Sequence, residues 1–363
     1  MQFGILFTSQ PNPDEEPYPH RATHARVTEQ VLLAEKAGYD IAWIAEHHFN
    51  TQYGIMPDCY AYLAYLARAT NRIRLGAGVV VIPAYNPVRA VENAAFCDVL
   101  CDGRLELGLG SGYRPYEFAG LGVAFEDRRE RQEEAINLML ELFHAGRTRY
   151  QGRYFDISIG SEHEVLPHSV QRPHPPLWLG VNSEQSAEYA ARRGFGMLMT
   201  SLPTLSELAI RTRAYRAGLE ETEPRYRANP ALGRTGCVRW VYVAETDAKA
   251  RIESEPGLMR QLAHFSGGIH PTGKKVEADD FNYGRLLGNT ILHGSPTTMI
   301  EMLERLESEA GMDSVLIQTA PYYGSERTRR MLQLFAAEVI PHFRKKAANA
   351  GHVGSSAVVR GQH

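Results

Sequence analysis

The sequence predicts an α/β protein, a single (β/α)8 barrel of the TIM type. Three observations predict it. Short apolar runs alternate with helix-like segments along the chain, as in parallel strands joined by crossover helices. No linker divides that alternation into separate domains. And polar residues stand directly after apolar runs, where a parallel barrel places its chemistry. A doubly wound open sheet would show the same alternation and is the competing architecture.

The elements follow in order. Residues 3–7 read as the first strand. Val27, Val31 and Ala34 share one face of a helix that Gly38 ends. Residues 41–45, Ile-Ala-Trp-Ile-Ala, form a second strand, and a helix covers 60–70. The third strand spans 73–82 and the next helix 87–100. Leu105, Leu107 and Leu109 alternate as a fourth strand, and Ile136, Met139, Leu140 and Phe143 recur at helical spacing. Residues 177–181, 197–200 and 238–243 supply strands five to seven. Residues 315–318 supply the eighth, followed by a helix bearing Leu332, Phe335 and Val339. Two stretches break the pattern. Residues 146–176, rich in Tyr, His and Pro, read as an insertion crossing the barrel rim. Residues 266–296, glycine-rich and of mixed charge, read as a long lid loop between strands seven and eight. The barrel domain is expected over 1–345, with a small, polar, disordered tail over 346–363.

Composition narrows the function. The chain has 363 residues, 44% hydrophobic and 22% charged, with a formal net charge of -3. That is a globular composition with ample length for a large core. Without a long basic block, neither a nucleic acid nor another polyanion is expected as a partner. Four cysteines form no C-x-x-C pair, and no signal peptide or long apolar stretch is evident, so a cytoplasmic location is expected and no membrane partner.

Four motifs could carry chemistry. Glu46-His47-His48-Phe49 ends the second strand, and each buried polar group there needs a partner or a cavity. His47 is either a cavity-facing acid–base group or a hydrogen-bonded support. Adjacent histidines on an extended segment point to opposite sides and seldom share one ion, so no metal is expected. Gly108 to Tyr113, after strand four, serve either as an anion cradle with Ser111 as donor or as a tight turn. Asn182 and Ser183 open a helix after strand five, where they cap it or hold a phosphate. Gly76 and Gly78, near the end of strand three, either admit a flat ligand or mark a bend.

Together these segments resemble the bacterial luciferase-like flavin-dependent monooxygenases over nearly the whole chain. The likeness lies in Met1-Gln2-Phe3-Gly4, the Ala34 to Asp40 segment, Glu46-His47-His48-Phe49, Pro87-Val88-Arg89, Gly103-Arg104-Leu105, and Asn182-Ser183 running to Ala191-Arg192-Arg193-Gly194, all in the same order. The resemblance implies that His47 is catalytic and that a non-proline cis peptide under the flavin falls on Gly78-Val79. It puts the FMN phosphate on Ser111, Asn182, Ser183 and Ser186, with backbone from Gly112 and Tyr113. It also implies reduced FMN supplied by a separate reductase, and a homodimer paired through the helices over 60–70 and 87–100. The activity implied is oxygenation of a small apolar organic substrate through a flavin carbon-4a peroxide. The chain departs from luciferase at three positions: Ser111 replaces a phosphate-contacting arginine, Gly110 a reactive cysteine, and Asn182 a glutamate. Arg114 is the nearby cation that could compensate for the lost arginine. Within the superfamily the competing activity is deazaflavin-dependent hydride transfer. A non-catalytic flavin-binding partner subunit and a metal-dependent barrel hydrolase are the other readings. Phe49, Tyr53, Tyr113, Tyr116, Tyr322 and Tyr323 are expected to wall the pocket.

Overall fold

The computed structural model describes residues 1–264 and 281–358. Its strands are β1 (Gln2–Phe7), β2 (Ile41–Ile44), β3 (Arg74–Val81), β4 (Leu105–Gly110), β5 (Arg149–Gln151), β6 (Asp156–Ser158), β7 (Leu177–Val181), β8 (Gly196–Met199), β9 (Thr235–Val243), β10 (Ile291–Gly294) and β11 (Ser314–Gln318). Eight of them close a parallel barrel in the order β1-β2-β3-β4-β7-β8-β9-β11, with β11 pairing back to β1. The pairing of β8 with β9 is what an open sheet would lack.

Inside the barrel sits a compact apolar plug of Ile41, Trp43, Trp178, Leu198, Val238 and Leu316. The Trp43 and Trp178 rings meet edge to face at 5.9 Å. Burying one indole of roughly 200 Å² contributes about 5 kcal/mol, before the entropy of ordering it. Gly76 makes room for it: a Cβ there would lie 2.3 Å from Trp43 Cε3. One charge is buried beside the plug. Glu106 accepts from Trp178 Nε1 at 2.6 Å and from Arg74 Nε at 2.5 Å, which leaves neither carboxylate oxygen unpaired. The larger core lies outside the barrel, where Val27, Val31, Leu63, Ala94, Ile136 and Met139 seal helices against strands.

The structure adds detail to the two stretches that break the alternation and to the chain's end. The 146–176 insertion is ordered, with β5 and β6 forming an antiparallel hairpin. Its backbone N–H groups at Tyr154 and Phe155 donate to Glu134 on the helix Arg128–Ala145. Its far end is tied down by Gln171, whose amide donates to Asp98 Oδ1 and to Leu105 O. Leu105 begins β4, so the insertion runs to the amino-terminal end of the barrel, away from the mouth. In the expected lid, residues 265–280 lie outside the described residues. Within the same stretch, however, Ile291–Gly294 is not loop but the buried strand β10, paired with the upper part of β9 from Trp240 to Val243. Four residues between a turn and a proline carry too little periodicity to announce a strand. The final helix runs Ile340–Val358, overlapping much of the expected 346–363 tail; residues 359–363 lie outside the described residues.

Candidate functional site

The carboxyl ends of the barrel strands surround a cavity of about 200 Å³. Seven of the nine residues expected from the sequence to be catalytic or to hold the cofactor line it: His47, Gly78, Val79, Ser111, Gly112, Tyr113 and Asn182. Ser183 and Ser186 do not. They face each other as a capping box at the start of the helix Glu184–Arg192, where Ser183 Oγ accepts from Ser186 N at 3.2 Å. Ser186 Oγ in turn accepts from the backbone N–H groups of Asn182 and Ser183. The two glycine- and serine-bearing loops are neighbours because β4 and β7 pair directly, Leu109 opposite Leu179.

The peptide bond between Gly78 and Val79 is cis, and the β3–β4 ladder skips both residues, resuming at Val80 opposite Leu109. Val79 is thus unpaired with β4 and lines the cavity wall. It explains Gly110 in turn: a Cβ at that position would meet Val79 Cγ2 at 2.5 Å.

Each histidine of the pair has taken its own carboxylate. His47, 9% exposed, places Nδ1 3.2 Å from Glu117 Oε1. The same oxygen accepts the backbone N–H of His48 at 3.0 Å. A carboxylate only accepts, which assigns the proton to Nδ1 and leaves Nε2 as the basic nitrogen. Burial would raise the Glu117 carboxyl, but the hydrogen bonds from His47 and His48 hold it below the ordinary value. His48 turns the other way, its Nε2 3.1 Å from Glu46 Oε1. That bond raises the His48 pKa above the usual imidazole value, against the opposing effect of burial. Tyr85 donates to the second oxygen of Glu46 at 3.0 Å.

An aromatic group completes this side. The Tyr53 ring stands edge-on to His47 with centroids 4.3 Å apart, and its hydroxyl bonds that of Tyr113. The Arg114 guanidinium lies over Tyr53 at 3.6 Å and near Tyr113 at 5.2 Å. Of the six aromatics expected as pocket walls, only Tyr53 and Tyr113 line the cavity. Phe49 projects outward at 65% exposed. Tyr323 is buried elsewhere, its hydroxyl 3.0 Å from His293 Nε2. Tyr116 and Tyr322 lie outside the lining as well.

Sequence reasoning missed Glu117, Trp240, Thr200 and Gln318, all of which line the cavity. Gln318, Thr200 and Glu46 share one signal, a polar residue ending an apolar strand. Glu117 gave none, since an acidic residue in the first turn of a helix reads as ordinary dipole matching. The buried Trp240 Nε1 and Thr200 Oγ1 have no hydrogen-bond partner among the described residues.

Comparison with known proteins supplies the class, the flavin-dependent monooxygenases. The family described as luciferase-like monooxygenase matches residues 1–314, and the chain belongs to that family. The uncharacterized protein y4vJ of Sinorhizobium fredii is 36% identical, and the match spans about half of it, 48% of each chain. The oxygenase component of a flavin-dependent trigonelline monooxygenase from Acinetobacter baylyi is 22% identical over 99% of this chain and 100% of its own. Among solved structures, the oxygenating constituent of 3,6-diketocamphane monooxygenase from Pseudomonas putida, a type II Baeyer–Villiger monooxygenase in complex with FMN, is similar at a TM-score of 0.74. It is 20% identical over 94% of this chain and 98% of that one, a likeness of fold.

Proposed function

We propose that this chain is the oxygenase component of a two-component monooxygenase that takes reduced FMN from a separate reductase and oxygenates a small organic substrate. The observation that carries the reading is one cavity lined by His47, the Gly78-Val79 peptide and Ser111 together, within a chain of this family. The residues suit a flat, partly polar ring system. Gly78 and Gly110 line the cavity without side chains, while Trp240 Nε1 and Thr200 Oγ1 are buried hydrogen-bonding atoms in want of a partner. Ser111, Asn182 and the backbone of Gly112 and Tyr113 would hold the phosphate, beside the helix end that Ser183 and Ser186 cap. Reduced flavin, when bound, supplies the electrons that activate oxygen.

The protein's own part is to position, shield and move a proton. Glu117 fixes the tautomer of His47, so that Nε2 can take or return a proton at the reacting centre. The apolar lining from Leu6, Val79, Leu198 and Val238 keeps water out, which protects the reactive stage from uncoupled release of hydrogen peroxide. A homodimer belongs to the same reading. Its contact face would be the helices Cys59–Ala69 and Pro87–Leu100, which leave Tyr65 59% and Phe96 52% exposed together with Val99 and Leu100. A cytoplasmic home agrees with four cysteines that remain buried thiols.

Anaerobic titration with reduced FMN, followed by admission of oxygen, tests this. Saturable binding and a transient flavin–oxygen absorbance are expected. Turnover with reduced deazaflavin in place of reduced FMN, without oxygen uptake, would transfer the chain to the hydride-transfer branch.

A further inference from the structure

Resting on the flavin-dependent reading above, we propose that Arg114 is the anion-recognising group of the substrate pocket, and that the substrate is a flat aryl or heteroaryl carboxylate.

The placement of Arg114 begins in the sequence. Pro115 starts the helix Pro115–Gly120, and the residue before a proline is pushed out of the helical region. Arg114 is accordingly extended, at φ -107° and ψ 103°, and its side chain lines the cavity. The guanidinium stacks on Tyr53 and also meets the Tyr53 hydroxyl, yet its planar fork carries more N–H donors than that one contact uses. Nε is buried and has no hydrogen-bond partner among the described residues. Two carboxylates also line the cavity, but both are committed elsewhere. Glu117 accepts from His47 and His48, and Glu46 accepts from His48 and Tyr85. Among the described residues, no carboxylate lies within 4.0 Å of the Arg114 guanidinium. It is thus a fixed cation at an apolar, aromatic-walled mouth with its counter-charge unassigned. A planar fork of N–H donors matches a carboxylate in two-point geometry.

The flavin phosphate is the other anion such a cation could serve. The geometry favours the substrate. Arg114 belongs to the loop after β4 and turns toward the β2 side, where its guanidinium meets Tyr53, whose ring touches His47. Of the phosphate reading, Ser111 opens the same loop, while Asn182 stands after β7, on the other side of β4 from β2. An anion at Arg114 therefore sits beside the proton-handling imidazole, and the Tyr53 and Tyr113 rings suit an aromatic body attached to it.

The test uses benzoate, benzamide and benzyl alcohol as probes, titrated calorimetrically into the protein under anaerobic conditions, alone and saturated with reduced FMN. Benzoate is expected to bind at least about tenfold more tightly than its neutral analogues. Arg114→Gln should abolish that preference, and Arg114→Lys should restore part of it. Affinity for reduced FMN should stay within about twofold in both variants, by the same charge-pair reasoning. Equal binding of benzoate and benzamide, or no benzoate binding in either state, overturns the proposal. So does an Arg114→Gln variant that loses affinity for reduced FMN but not for reduced riboflavin, because the anion would then be the phosphate. Failure of reduced FMN to bind the unsubstituted protein strikes the monooxygenase reading instead, and the probe series on the protein alone still decides the role of Arg114.

Discussion

Glu117 is the position where one substitution separates packing from charge. Its Oε1 accepts two N–H groups, the ring Nδ1 of His47 at 3.2 Å and the backbone of His48 at 3.0 Å, and the residue is only 3% exposed. Glu117→Ala removes both acceptor contacts and leaves the donors facing an apolar gap. Hydrogen bonds to a charged group contribute about 1.5–3 kcal/mol, and a stranded donor adds desolvation, so a loss of about 2–4 kcal/mol is expected. Glu117→Gln keeps a carbonyl oxygen at the same reach and loses only the charge, so about 1 kcal/mol is expected. Urea unfolding at neutral pH measures both, with the slope checked for constancy. A His47→Ala, Glu117→Ala cycle should return a coupling of about 1 kcal/mol. If Glu117→Ala costs less than about 0.5 kcal/mol, the carboxylate is not organising the two histidines. The tautomer assigned to His47 would fall with it.

Two further predictions follow from the same cavity. Trp240→Phe removes a buried N–H without a partner, so the free protein should be no less stable than the parent in thermal melts, while affinity for reduced FMN falls about tenfold; destabilisation with unchanged flavin binding would refute it. The pH dependence of stability should show two separable limbs. His48 is raised above 6.5, so its contribution is complete below that pH and is lost as pH climbs through the higher folded value. Glu117 is held below 4.5, so its contribution is complete above that pH and is lost as pH falls through the lower folded value. In unfolding titrations His48→Gln should flatten only the alkaline limb and Glu117→Gln only the acid one.

How much of this was readable depends on where each signal lived. The eight barrel strands were, because apolar runs such as Ile41–Ile44 are continuous when both faces of a strand are buried. β10 was not, because its partner is a single extension of β9 and its four residues carry no period. Residues that face the cavity from strand ends could be inferred from polarity alone, as His47 and Asn182 were. Residues arriving from the far side of a loop could not. Arg114 reaches Tyr53 across 61 positions, and Glu117 reaches His47 across 70, so only the closed barrel brings them together. Ser183 and Ser186 show the converse. Their spacing signals both a cap and an anion site, and in the fold their hydroxyls serve the cap.

The adjacency of His47 and His48 has a mechanical consequence. On an extended segment neighbouring side chains diverge, so one imidazole cannot point into the mouth without the other pointing away. The second is anchored by Glu46, itself braced by Tyr85 on the segment leaving β3. Glu117 then grips the pair from the opposite side, taking the ring of the first and the backbone of the second on one oxygen. The loop after β2 is thereby pinned to the segment that follows β3 and to the helix Pro115–Gly120 that follows β4. Rotation of His47 would break the bond to Glu117, and movement of the backbone would break the bonds at His48. In the proposed reaction His47 transfers a proton, and such a group gains when its orientation is fixed beforehand. That is why the histidine that faces away matters as much to this mouth as the one that faces in.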